Sequence, residues 1–396
     1  MSPDFERPNH PLPFLLQNFF SAHNESMLDV FLYSVGSGET TKKEQSAPIG
    51  IIRSAATHFR SFPPTTSPSK VSEEIRQDNI DVLVDLCGHA GPSIIGEICA
   101  LRPARKLVSY MGFPGSHQAD YIDYQIVDES LVPGSLRKFY KNSLIFMPGT
   151  YYVNSHKYLR ARGGKRRQRK DYGISDTASF VFCNHGRADK IDPATFFCWI
   201  RALKRVEGSV LWLLKSGDAM EKNLRAYAAK AGISQARLVF SDVANSEEHL
   251  ERLGLCDLFL DTPCYNSHTV AVDAMSRGVP MVTMLREGRE NRQEGFDFDA
   301  KDYMAYGCIT DKLSSRVGAS LTRAAGLGDR MIAKNLKEYE ELMVKFAMDK
   351  KLNVEVKESL SSSDNPLFDT VEWVRAWERA VLAIHRGDYK GGDIYI

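Results

Sequence analysis

Two observations in the sequence predict an α/β fold built on parallel sheets. First, short apolar runs rich in β-branched residues recur along the chain: "LDVFLYSV", "IDVLVDLCG", "KLVSYMGF", "SFVFCNHG", "SVLWLLKSG", "RLVFSDV", "LFLDTP" and "VPMVTM". They are continuous rather than alternating, as expected of strands covered on both faces. Second, amphipathic segments such as residues 194–206 and 221–231 lie between many of them. Helices laid over both faces of a parallel sheet provide that cover.

Followed in order, the pattern pauses once, at "NSHKYLRARGGKRRQRKDYG", where a glycine pair and a dense basic run break the hydrophobic periodicity. A solvated interdomain linker is the expected role of this run; a nuclear-localisation or phosphoinositide patch is the other reading. The expected division is therefore residues 1–155, a basic linker at 156–172, and residues 173–396 including the C-terminal helices. Residues 285–312 are polar, contain glycine and carry both charge signs, which reads as an inserted loop. Residues 331–386 read as helices, and "VEWVRAWERAVLAIHRG" places Trp373, Val374, Trp377 and Val381 on one packing face. No repeat of helical-hairpin period occurs in the sequence.

At 396 residues, 43% hydrophobic and 26% charged, the chain can bury two cores. A formal net charge of +1 supplies no global field for nucleic acid or an anionic membrane, so neither is expected as a partner. The seven cysteines are scattered without zinc spacing and are expected to be free thiols in a reducing compartment. The first twenty residues mix acids and prolines into their apolar part and do not form a secretory signal. The expected location is the cytoplasm or nucleus.

Three stretches concentrate polar chemistry at element ends. In "DTPCYNSHTVAVDAM", Asp261 and Thr262 end a strand, and Asn266, Ser267, His268 and Thr269 crowd the start of a helix with Asp273 one turn on. A helix start after a parallel strand is an anion site in waiting; simple capping by Asn266 or Ser267 is an equal reading. "CNHGRADKIDP" projects Lys190 from a loop that ends at a helix with Asp192 as N-cap and Pro193 at its first position. In "SDVANSEEHLERLGLCD", Asn245 and Glu248 resemble a capping box, while His249 and Arg252 share a helix face and could grip one flat polar ligand. "VGSGETTKK" lacks the order of a phosphate loop, and no GxGxxG, HExxH or GxSxG motif occurs.

The blocks "DVLVDLCGHAG", "ALRPARKLVSYMGFPGS", "IDYQIVDESLVP", "CNHGRADKIDPATF", "LKRVEGSVLWLL", "NLRAYAAKAGI", "EEHLERLGLCDLFLDTPCYNSHTVAVDAM" and "SSRVGASL" closely resemble, in order, the catalytic region of the protein O-GlcNAc transferase family. The resemblance implies a GT-B architecture, two Rossmann-like domains facing a cleft. It implies inverting, metal-independent transfer of N-acetylglucosamine from UDP-GlcNAc to Ser or Thr hydroxyls of protein acceptors, with no cofactor. A catalytically impaired nucleotide-sugar-binding scaffold and an O-fucosyltransferase using GDP-fucose, as in the related SPINDLY branch, are the alternatives.

Carried over by that resemblance, Lys190 contacts the diphosphate and His268 and Thr269 surround it. Asp273 meets the ribose, and His249 and Arg252 grip the uridine end. His10 is a candidate general base on the acceptor side, and His89 with Gly112, Pro114 and Gly115 lines the sugar and acceptor region. Arg187, Ser246 and Val270 stand where the family carries glutamine, lysine and threonine, and Arg187 joins the nucleotide-sugar residues. The resemblance also implies tetratricopeptide repeats and a first strand that this sequence does not contain. A truncated start is thus expected, with a sheet edge or an unfilled core as its consequence.

Overall fold

A computed structural model describes residues 1–7, 10–36, 47–91, 93–159, 167–286, 310–387 and 392–396. The chain divides into two compact units, residues 1–158 with 368–396, and residues 159–367.

The first unit opens with helices α1 (Pro11–Leu16) and α2 (Phe19–Ala22) and then alternates strands and helices: β1 (Phe31–Val35), α3 (Ala47–Ala55), β2 (His58–Phe62), α4 (Pro68–Gln77), β3 (Val82–Asp85), α5 (Ile95–Ala100), β4 (Lys106–Ser109), β5 (Tyr124–Val127) and β6 (Ser143–Phe146). Local chemistry sets the helix starts: Ser67 caps α4 by accepting from Lys70 N–H, with Pro68 at the first position. All four residues of β5 are buried, the continuous pattern of a doubly covered strand. β1 pairs with β2, and β3 to β6 pair in sequence, all parallel. Met1 and Ser2 lie between β1 and β3, with the Met1 amino group donating to the Val84 carbonyl at 2.8 Å. One core cluster packs Tyr33 and Leu83 of these strands against Val71 and Ile75 of α4 and Ile98 of α5.

The second unit runs β7 (Val181–Asn184), α6 (Pro193–Arg205), β8 (Val210–Leu214), α7 (Asp218–Lys230), β9 (Leu238–Ser241), α8 (Ser246–Leu253), β10 (Leu258–Leu260), α9 (His268–Ser276), β11 (Met281–Met284), α10 (Val317–Ala324), β12 (Ile332–Ala333), α11 (Leu336–Met348) and α12 (Lys350–Ser361). Its six parallel strands lie in the order β12-β11-β10-β7-β8-β9, so the sheet grows outward in both directions from β7 and β10. Asp192 caps α6 through Ala194 and Thr195 N–H, and Pro193 opens the helix, as the sequence predicts. Asn245 caps α8 at Glu248 N–H, 2.9 Å, but the Glu248 carboxylate turns to Tyr172 and Arg167 instead of closing a capping box.

The chain then returns to the first unit through α13 (Thr370–Arg386) and β13 (Ile394–Tyr395), the latter pairing with β6. This departs from the expected boundary, which assigns everything after residue 173 to the C-terminal domain. The reason is the apolar face of α13. Trp373 and Trp377 pack on Phe19 and Tyr110, and Trp373 Nε1 donates to the Thr150 carbonyl at 3.0 Å. The basic run is also more than a solvated linker where it is described, because Arg169 binds the Leu255 carbonyl and the Asp257 carboxylate at 2.9 and 2.8 Å. Most of the expected inserted loop, residues 287–309, lies outside the described residues. Among the described residues five cysteines are free and buried, whereas Cys264, in the less buried loop before α9, is disulfide-bonded, contrary to the all-thiol expectation.

Candidate functional site

β7 and β10 are neighbours, yet the chain leaves them in opposite directions, through α6 to β8 and through α9 to β11. Where strand order reverses in this way, the loops at the carboxyl ends part and leave a crevice. The loop after β7 holds Lys190; the loop after β10 is the polar turn at 261–267.

Asp261, fully buried, organises that turn. Its Oδ1 accepts from Thr262 and Ser267 N–H at 2.9 and 2.8 Å, and its Oδ2 accepts the Thr283 hydroxyl at 2.7 Å. Burial raises its carboxyl pKa to about 6, against the opposing pull of Thr283, the Ser267 N–H and Lys190. Asn266 ties the turn to the next layer, donating to the Thr262 carbonyl and accepting from Gly318 N–H at 2.9 Å. Gly318 has no room for a side chain, since a Cβ would stand 2.4 Å from Asp261 Oδ2. The first turn of α9 therefore starts from a fixed backbone, with its leading N–H groups and positive dipole end directed out of the helix. The Ser267 hydroxyl is buried there without a partner.

Lys190 ends a short 3₁₀ turn, Ala188–Lys190. Its Nζ donates to the Asn266 carbonyl at 2.7 Å and stands 4.3 Å from the centre of the Tyr265 ring. The opposing influences on it are burial, which lowers its pKa, and the nearby Asp261, which raises it; burial wins. Tyr265 also stacks on His268, 5.4 Å between centres at 16°. His268 Nε2–H donates to the Ser314 carbonyl at 3.1 Å, and burial, with Lys190 close by, lowers its pKa to about 3, so the imidazole is neutral at physiological pH. An ammonium from one loop, an aromatic face and a helix N-terminus from another thus converge at the start of α9, an arrangement suited to an anion.

The other expected nucleotide residues divide. His249 Nε2 meets Asp273 Oδ2 at 3.2 Å and joins α8 to α9. Arg252, one turn further on, is only 2% exposed and donates inward to the Asp242 carbonyl at 2.7 Å. Although they share a helix, His249 and Arg252 face different partners, because Arg252 is drawn into the unit's interior. Arg187 is exposed and forks onto Asp189. Thr269 sits in the first turn of α9, with Val270 beside it, and Ser246 opens α8.

The first unit carries the remaining residues on the loops after β3 and β4. Asp85 accepts from Cys87 and Gly88 N–H at 2.7 and 2.9 Å and lies 3.6 Å from His117 Nε2. Burial pushes its carboxyl pKa up, but His117 and the two N–H groups outweigh it and hold it below the ordinary value. His89 packs on His117 and on the edge of Phe113, and its Nε2 donates to the His117 carbonyl at 2.9 Å. Gly112 passes so close to β3 that a Cβ would lie 2.1 Å from the Leu86 carbonyl. Pro114 and Gly115 follow in the same loop, which Gln125 clamps at the Gly115 carbonyl and the His117 N–H.

His10, the expected base, stands at the start of α1. Its Nδ1 accepts from Leu12 N–H at 3.3 Å as the N-cap of α1, and its Nε2 faces Asp4 at 3.7 Å. In the neutral ring this hydrogen bond uses the Nδ1 lone pair to cap the helix. Burial lowers its pKa, against the opposing charge of Asp4.

Four participants are not marked by sequence pattern: Tyr265, Ser314, His117 and His185. The last is buried against Trp212 with both ring nitrogens unpartnered, and burial and the nearby Arg252 keep it neutral. Only for Asp261 is there a local signal, an acid closing the apolar run "LFLD".

Residues 1–167 and 165–294 match the model of glycosyl transferase family 41. The chain is 36% identical over 377 residues to the probable UDP-N-acetylglucosamine–peptide N-acetylglucosaminyltransferase SEC of Arabidopsis thaliana, covering 94% of this chain and 35% of that protein. It is 24% identical over 481 residues to the UDP-N-acetylglucosamine–peptide N-acetylglucosaminyltransferase of Caenorhabditis elegans, covering 93% and 39%. It thus spans little more than a third of the length of these curated relatives. Among solved structures, an O-GlcNAc transferase of Thermobaculum terrenum matches with a TM-score of 0.73 at 21% identity, over 95% of this chain and 66% of that one. Anabaena HepE, solved with UDP and glucose, matches with a TM-score of 0.58 at 12% identity, over 95% and 97%. These structural likenesses show the fold, which is GT-B with two Rossmann-like α/β units. With a family model matched over most of its length and a 36% identical relative aligned across 94% of it, the chain belongs to glycosyl transferase family 41.

Proposed function

We propose that this chain is the catalytic region of a protein O-GlcNAc transferase. It transfers N-acetylglucosamine from UDP-GlcNAc to Ser or Thr hydroxyls of proteins, with inversion at the sugar and without a metal ion. The observation that carries the reading is Lys190 held at the start of α9, bonded to the Asn266 carbonyl and covered by the Tyr265 ring. In the reaction the acceptor oxygen bonds to the sugar's anomeric carbon as the bond from that carbon to the β-phosphate oxygen breaks. The bonding pair leaves with UDP, and the acceptor's hydroxyl proton passes to solvent water. Negative charge therefore grows on the β-phosphate, and a fixed ammonium beside helix N–H groups stabilises it more in the transition state than in the bound donor.

The remaining geometry supports the same assignment. The His249–Asp273 contact between α8 and α9 supports assigning this pair to the nucleoside. His268 spends its Nε2–H on the Ser314 carbonyl, so it holds the turn rather than the anion. His89 and the Gly112–Gly115 loop are assigned to the sugar and acceptor by the family resemblance alone. The names of the curated relatives support the donor and the peptide acceptor.

The test is UDP release from UDP-GlcNAc in the presence of a Ser/Thr acceptor peptide, with the anomeric configuration of the product read by NMR. The α-linked donor should give a β-linked glycopeptide, and Lys190→Ala should lower turnover by roughly 10²–10³-fold. Folded protein that releases no UDP with any acceptor, or a product that retains the α-configuration, would contradict the proposal.

A further inference from the structure

Ser267 occupies the N-cap position of α9 and does not cap it. A serine there ordinarily turns its oxygen back onto the N–H groups of the first turn, which is why helix starts favour the residue. The backbone of Ser267 is engaged on both sides: its N–H donates to Asp261 Oδ1 at 2.8 Å, and its carbonyl accepts from Ala271 N–H at 2.6 Å. The side chain is not. Ser267 is 2% exposed, and its Oγ is buried with no hydrogen-bond partner among the described residues. A hydroxyl taken out of water and left unpaired destabilises the free fold, and a ligand that meets it removes that penalty.

Gly186 shows where the hydroxyl points. A Cβ on that glycine would stand 2.9 Å from Ser267 Oγ and 3.0 Å from Asn184 Oδ1. Gly186 lies in the loop after β7, where its N–H donates to Asn184 Oδ1 at 2.8 Å, and Asn184 Nδ2 in turn donates to the Leu260 carbonyl of β10 at 2.6 Å. Ser267 Oγ therefore reaches from the turn after β10 towards the loop after β7, at the point where strand order reverses. Gly186 leaves that path open. Further along the same loop comes Lys190, whose Nζ bonds to the carbonyl of Asn266, the residue before Ser267. An ammonium and a buried hydroxyl thus meet at one helix start, and Val270 in the first turn has no hydroxyl of its own.

A hydroxyl has one proton to donate, and the ligand suited to an ammonium and a helix N-terminus is an anion, whose oxygens accept. We propose that Ser267 is a contact for the donor substrate: its Oγ–H donates to a phosphate oxygen of the bound nucleotide-sugar diphosphate, and Gly186 keeps the approach open. This assignment rests on the donor reading of the same site given above. It reverses the effect expected of a helix-start serine. Truncating a capping serine destabilises the free protein, whereas truncating a hydroxyl that waits unpaired for its ligand spares the free protein and weakens the ligand.

Ser267→Ala in the full chain separates the two roles through UDP titration, displacement of UDP by uridine, and thermal unfolding without ligand. The UDP Kd should rise about tenfold or more, the scale of one hydrogen bond to a charged group, while the inhibition constant of uridine, which has no phosphate, stays within about twofold. The Tm of the free variant should equal or exceed that of the wild type. Gly186→Ala should weaken UDP binding in the wild-type background and much less beside Ser267→Ala, because its Cβ presses on Oγ whereas the Ser267 Cβ lies at an ordinary 3.8 Å. Unchanged UDP affinity in Ser267→Ala, equal weakening of uridine, or a lowered Tm would overturn the assignment, and an equal effect of Gly186→Ala in both backgrounds would overturn the path past Gly186. Wild-type protein that binds no UDP would instead overturn the donor reading itself.

Discussion

Lys190 has two engagements at once, a hydrogen bond to the Asn266 carbonyl and a cation–π contact with Tyr265, while burial makes its charge costly. A side chain held this way is positioned before any donor arrives, so removing its charge should affect the chemical step more than binding. Lys190→Met is expected to lower kcat by roughly 10²–10³ with a smaller change in KM, the scale seen for deletion of one charge-stabilising donor. A proportionate rise in KM with kcat intact would show that Lys190 only binds. Asp261 gives a second expectation at this scale. Its carboxyl pKa is raised from 3.8 to about 6, so the folded state favours the protonated form. The sign follows: its contribution to stability is greatest below about pH 4 and falls as pH rises towards 6, by roughly 3 kcal/mol in all. Asp261→Asn keeps an oxygen for the Ser267 and Thr262 N–H groups and should remove that slope. Thermal midpoints at pH 4.5 and 6.5 for both proteins check it, and identical pH dependence would refute the assignment.

At the scale of the element, the unit that matters is β10, its turn and α9. Its existence is legible in "LFLDTPCYNSHTVAVDAM", because an apolar run, a turn-forming proline and a polar helix start follow one another. What the turn is built around is not legible. Asp261, Thr283 and Gly318 come together only after β11 has paired with β10 and α10 has packed across them, and their spacing in sequence follows no local period. Tyr265 reads as an exposed aromatic until Lys190, on a different loop, is placed across its ring. Gly318→Ala should therefore act at a distance, since its Cβ would press on Asp261 and Thr283. A loss of about 1–3 kcal/mol in stability is expected, with weaker UDP binding. Calorimetric unfolding and a UDP titration of the variant test both, and unchanged UDP affinity would separate the turn from the site.

At the scale of the whole molecule, alternating strands and helices announce two α/β units, but not which unit owns the C-terminal segment. Amphipathic period shows that Trp373 and Trp377 lie on a packing face; it does not name the partner. That partner is Phe19 and Tyr110, over two hundred residues earlier in the chain. Trp373→Ala should accordingly destabilise the first unit, by about 3–5 kcal/mol for a large buried aromatic, and leave exchange in β7 to β12 unchanged. At this scale the proposed function rests on the second unit, where the start of α9 and Lys190 are the proposed seat of the donor diphosphate. Calorimetric titration of UDP into the wild-type chain and into Lys190→Met tests it most directly. Saturable one-to-one binding, weakened about tenfold or more by the substitution, is the expected result; no UDP binding by the folded chain, or equal affinity in the two proteins, would contradict it.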